Sequence, residues 1–140
     1  MRFRSAILVL GLAFASCTDV LPCSTCPTME GPYTFTWATT TTNDSCPLPA
    51  APPASVTFTR VGSSLRTALG SQELSGTLFD TYDFTLSGGL DTSYNLRGRL
   101  VTRGTGDAGV ISLTGSLRTR LTDAKGGICD FDSKFTAAKR

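Results

Sequence analysis

The chain has no histidine. That removes the one side chain that titrates near neutral pH, and with it Ser-His-Asp and Cys-His nucleophile systems, histidine-ligated metals and the usual proton shuttle. Charge is also sparse. Charged residues make up 17% of the 140, with 13 basic against 11 acidic. So even a balance gives no electrostatic footprint for nucleic acid and no long-range steering of charged partners. The apolar run from Ala6 to Phe14 is too short to span a bilayer, which takes about 20 residues of helix. A helical repeat is missing as well, since no segment places apolar residues at a period of 3.6. No catalytic residues, no cofactor and no nucleic-acid partner are expected, and the length allows one domain at most.

What is present begins with a leader. Arg2 and Arg4 precede the apolar run, and the small residues Ala15 and Ser16 lead into Cys17. This is the order of a secretory signal: basic region, short apolar region, cut site. The stretch Phe14-Ala15-Ser16-Cys17 resembles the lipobox of bacterial lipoproteins, with Phe14 standing where leucine is usual. The resemblance implies a signal peptide over residues 1–16, cleavage before Cys17, and acylation of its thiol and new amino group. The membrane is then a partner through the lipid. By the same resemblance, Thr18 beside the lipid cysteine implies the bacterial outer membrane. The alternative cut follows Ala15, at Ala13-Phe14-Ala15, and would release a soluble protein beginning at Ser16. With Arg2 and Arg4 gone, the formal net charge of +2 falls to zero.

Residues 17–32 read as the lipidated cysteine and a tether, with Leu-Pro, Cys-Pro and Gly-Pro pairs and no periodicity. From Tyr33 the period is two. Tyr33, Phe35 and Trp37 alternate with threonines, and Val56, Phe58, Leu65, Leu69, Leu74, Leu78, Tyr82, Phe84, Leu96, Leu100, Leu113, Phe131 and Phe135 continue the pattern. Gly-, Asp- and Ser-rich turns separate about eight short strands. Residues 33–140 are therefore expected to form a single all-β domain, an antiparallel up-and-down meander closed or nearly closed into a barrel, with a β-sandwich as the alternative.

Leu-x-Gly-x-Leu occurs three times, at Leu74 to Leu78, Leu96 to Leu100 and Leu113 to Leu117. By parity Gly76, Gly98 and Gly115 face inward with their leucines, where they allow curvature or admit a neighbouring ring. Charge suggests the strand registers. A hairpin centred near Lys125 sets Arg118 opposite Asp132 and Arg120 opposite Asp130. One centred near Leu90 sets Arg97 opposite Asp83, Leu96 opposite Phe84 and Gly98 opposite Tyr82, an aromatic laid over a strand glycine. The outward arginines Arg97, Arg99, Arg118 and Arg120 then read as solvated cross-strand pairs rather than an anion-binding face.

In such a meander alternate loops fall at opposite ends. With the tether end as the lower one, Cys46 in the long first loop and Cys129 at the start of the last strand share the upper end. Disulfides Cys46–Cys129 and Cys23–Cys26 are expected, since export makes oxidation the default. The first staples the stretch Cys46-Pro47-Leu48-Pro49-Ala50-Ala51-Pro52-Pro53 to the rim. Cys23-Ser24-Thr25-Cys26 has redox spacing, but no βαβ pattern surrounds it and prolines flank it, so a structural disulfide is the reading. Asn43, Asp44, Glu73, Asp91 and Asp123 collect at the upper end without the repeating spacing of a calcium loop, and no metal site is expected.

Gly31-Pro32-Tyr33 opening an eight-stranded meander resembles the calycin group of lipocalins and avidins, with Tyr33 where their motif has tryptophan. That resemblance implies a barrel able to hold a small apolar ligand, with Trp37 and Tyr82 as ligand-binding candidates. A barrel filled by its own side chains is the preferred reading. The function expected is that of a lipid-anchored, non-catalytic envelope protein with a structural or interaction role. A protein partner would then meet the loop end away from the membrane.

Overall fold

Among the described residues, alternation at period two becomes eight antiparallel strands and no helix: β1 (Gly31–Trp37), β2 (Ser55–Val61), β3 (Ser64–Leu69), β4 (Gln72–Leu78), β5 (Asp83–Gly88), β6 (Ser93–Thr102), β7 (Val110–Thr122) and β8 (Ile128–Lys139). The computed structural model describes residues 20–38, 46–102 and 109–140, and of Ile111 the backbone only. The leader with Cys17, the loop residues Asn43 and Asp44, and most of the loop beginning at Gly104 lie outside the described residues. Each strand pairs with its predecessor, and β8 returns to β1 from Tyr33 opposite Lys139 to Trp37 opposite Phe135. The sheet is thus a closed up-and-down barrel rather than a sandwich.

Burial alternates strictly along β8, where Cys129, Phe131, Ser133, Phe135 and Ala137 face in and their neighbours face out. The interior is filled by an aromatic series. Tyr33 meets Phe58 edge to face at 5.7 Å, Phe58 meets Phe84 at 5.8 Å, and Phe35 lies 4.8 Å from Phe135. Leucines from β3, β4, β6 and β7 pack around these rings.

The inward glycines explain how so narrow a barrel shuts. A Cβ on Gly76 would lie 1.8 Å from the Thr85 carbonyl oxygen, and one on Gly115 would lie 2.0 Å from that of Arg97. Gly98 and Gly115 face each other across β6 and β7, so the strands approach where side chains would hold them apart.

The β7–β8 register is the expected one, with Arg118 opposite Asp132 and Arg120 opposite Asp130. The β5–β6 register differs by two residues. Asp83 pairs with Arg99 rather than Arg97, Leu86 with Leu96, and Phe84 with Gly98. The hairpin centres on Asp91, not Leu90: Gly88 pairs with Tyr94, which leaves the five residues 89–93 between them, and Gly89 takes a φ of 98°. An aromatic does cover Gly98, but it is Phe84, whose ring would lie 2.6 Å from an added Cβ. Tyr82 is displaced from the inward set. It sits outside the strand, 40% exposed, at a left-handed φ of 64°.

The stretch expected as a tether belongs to the folded body from its first described residues. The Cys23 amide donates to Leu78 O at 2.8 Å, the Asp80 amide donates to Leu21 O at 2.9 Å, and Pro22 bridges to Phe79. Cys23 and Met29 are buried with the core. Residues 21–30 therefore plug the lower mouth of the barrel.

Candidate functional site

The two mouths differ, and the difference starts with single residues. At the lower mouth, Arg60 continues the inward parity of Val56 and Phe58, an unusual place for a charge. Its guanidinium donates to Cys26 O at 3.3 Å, Pro27 O at 3.4 Å and Cys23 O at 3.5 Å, and its Nε donates to Gly62 O. A rigid, multi-donor fork suits this gathering of carbonyls. The Cys23–Cys26 disulfide, with Cα atoms 5.7 Å apart, folds the same turn back on itself. Lys139 Nζ donates to Thr28 O at 3.2 Å, and the Arg140 amide donates to Pro32 O at 3.0 Å. The plug is held by the second strand and by the end of the eighth. Composition and spacing did not single out Arg60; the signal was the break in alternation at Val56-Phe58-Arg60.

Around this plugged end lies a rim of exposed apolar side chains. Val20, Leu21, Val61, Tyr82 and Val101 are all exposed there, Val61 at 84%. Backbone bonds link their neighbourhoods: Leu78 N to Ser63 O, Asp80 N to Leu21 O, and Leu100 N to Tyr82 O.

At the upper mouth the Pro-rich stretch crosses the opening as a strap fixed at both ends. Cys46 is bonded to Cys129, Cα to Cα 5.9 Å, as expected. At the other end Trp37 Nε1 donates to Pro53 O at 3.0 Å, and the Phe35 amide donates to Ala54 O at 2.7 Å. Beneath the strap is a cavity of about 410 Å³ between the loop and the inner walls of the barrel, lined by Leu48, Pro49, Leu69, Tyr94, Leu117 and Thr119 among others.

The two ligand-binding candidates are not brought together. Trp37 is half-buried at the upper end, stacked on Phe35 at 5.1 Å. Tyr82 is in the β4–β5 turn at the lower end. The space expected between them holds the aromatic series, so neither shares a site with the other. Trp37 acts instead as an anchor for the strap.

The outer wall carries the arginines. Arg99 grips Asp83 with Nε–Oδ1 at 2.7 Å and Nη2–Oδ2 at 2.9 Å, and the hydrogen bond holds Asp83 below the ordinary aspartate range. Arg120 and Arg118 converge on Asp130, at 2.9 and 3.1 Å, and their hydrogen bonds lower its pKa from 3.8 to about 2. Arg118 faces Asp132 in register yet reaches diagonally to Asp130, a step that long side chains cover easily. Arg97 bonds Asn95 Oδ1 at 2.7 Å. Among the described residues no three of Cys, Asp and Glu group closely enough to hold a metal.

No family model, curated protein or solved structure matches the chain.

Proposed function

We propose that the protein is a lipid-anchored, non-catalytic component of the bacterial outer membrane, held with the plugged end of its barrel against the bilayer. The observation that carries this reading is the apolar rim of Val20, Leu21, Val61, Tyr82 and Val101 at the end where the chain enters the barrel. Val20 lies three residues from Cys17, so a lipid on that cysteine could stand at most about 10 Å from the rim. An acyl anchor and an apolar collar would act on the same surface. Stable attachment draws on two such signals together. The two disulfides suit an oxidising compartment. In this orientation the strapped mouth faces away from the bilayer, and it is there that the protein would meet its partners in a structural or interaction role.

Mass spectrometry of the mature N-terminus tests the reading. A diacylglyceryl-modified Cys17 is the expected result, with Cys17→Ser shifting the protein from the membrane to the soluble fraction. An unmodified N-terminus at Ser16 would overturn it.

A further inference from the structure

We propose that the cavity under the Pro-rich strap is a binding site for a small, uncharged, largely apolar molecule. Three observations carry this, none of which depends on membrane attachment. The first is size and place. About 410 Å³ at the mouth of a β-barrel lies within the range of small-molecule sites, and such mouths are a preferred location for them.

The second is chemistry. Leu48, Pro49, Leu69 and Leu117 supply an apolar wall, while the Tyr94 phenol and the buried Thr119 hydroxyl supply polar atoms that could orient a ligand. Among the described residues no charged side chain lines the cavity. An ion entering it would lose hydration without gaining a counter-charge, so the site discriminates against charged ligands. The chain's charges are elsewhere: the Arg99–Asp83 pair and the Arg118–Asp130–Arg120 cluster lie on the outer wall.

The third is rigidity. Pro47, Pro49, Pro52 and Pro53 stiffen a strap already fastened by the Cys46–Cys129 disulfide and by Trp37 on Pro53. A roof fixed at both ends keeps its shape whether or not a ligand is beneath it, and so avoids the ordering cost that a mobile loop would add to binding.

Trp37 makes the site readable, since it is the only tryptophan in the chain and holds the strap directly. Titration of the mature protein with the neutral fluorophore N-phenyl-1-naphthylamine should quench Trp37 saturably at one probe per chain, by energy transfer. Ser71→Phe, which places a ring on the cavity wall, should weaken binding at least tenfold. Leu48→Asp should do the same by adding a charge at an exposed position where folding is not at stake. Thr81→Phe, in the exposed turn at the opposite end, should leave affinity within twofold. The anionic analogue 1-anilinonaphthalene-8-sulfonate should bind at least tenfold more weakly than the neutral probe. Absence of saturable quenching would overturn the proposal. So would folded Ser71→Phe and Leu48→Asp variants that bind like the parent, or equal affinity for the neutral and anionic probes.

Discussion

Tyr33 shows how much one side chain can reveal about where it sits. Its ring is fully buried, and its hydroxyl has no hydrogen-bond partner among the described residues. Burial, helped by the nearby Glu30 charge, pushes its pKa from 10.0 up to about 12. The folded state therefore keeps a proton that the unfolded chain gives up near pH 10. Stability from this difference is fully present below pH 10 and is lost as pH rises towards 12. Alkaline denaturation followed by circular dichroism should show that fall in the parent and not in Tyr33→Phe. The variant should be at least as stable as the parent at pH 7, since it removes an unpaired hydroxyl. Asp130 shifts the other way. Held at about 2 by Arg120 and then Arg118, it favours the fold above pH 3.8, and that contribution goes as the pH drops towards 2. A carboxyl NMR titration should place its midpoint near 2 at low salt. The midpoint should return towards 3.8 in Arg120→Gln or in 1 M salt, because the pair is exposed and screened; a midpoint indifferent to both would refute the assignment.

At the level of the strand, the alternation of Tyr33-Thr34-Phe35-Thr36-Trp37 and its successors was enough to read eight strands and their inward faces. Alternation cannot, however, separate two registers that differ by an even number of residues, since every side chain keeps its face. Charge had to decide, and Arg97 and Arg99 offered Asp83 equivalent partners two places apart. On β7–β8 two arginines meet two aspartates, and only one register sets both pairs opposite each other, so that register was legible. The plug was not, because two buried residues, Cys23 and Met29, make no period, and the carbonyls that Arg60 collects belong to an irregular turn. The upper cavity was illegible for another reason: its walls come from segments far apart in the chain that only barrel closure brings together. The glycine repeat gives the sharpest prediction at this scale. Gly76→Ala puts a methyl group against the backbone of β5, where nothing can yield without moving the strand. It should cost roughly 3 kcal/mol or more in chemical denaturation, at or beyond the upper end for overpacking, whereas outward Ser75→Ala should stay within about 0.5 kcal/mol. Arg60→Ala should loosen the plug by about 1 kcal/mol. Faster hydrogen exchange at the Cys23 amide, with no change in the β7–β8 amides, would report it.

For the whole molecule the two disulfides are unequal. Cys46–Cys129 closes a loop with a sequence separation of 83, Cys23–Cys26 one with a separation of 3. Chain entropy puts their effects at roughly 4.5 and 1.6 kcal/mol. Removing the long-range pair as Cys46→Ala/Cys129→Ala should therefore lower unfolding stability more than Cys23→Ala/Cys26→Ala; the reverse order would show that the plug, not the strap, governs global stability. Closure of the sheet has a consequence in time. β8 hydrogen-bonds to both β7 and β1, and until it arrives those two strands are bare edges able to pair with another chain. A polypeptide exported from its N-terminus would deliver this strand after every other. Crossing and folding would then run in sequence: the barrel would shut only once its twelve-residue eighth strand had emerged, and before that moment the chain would need protection from its own kind.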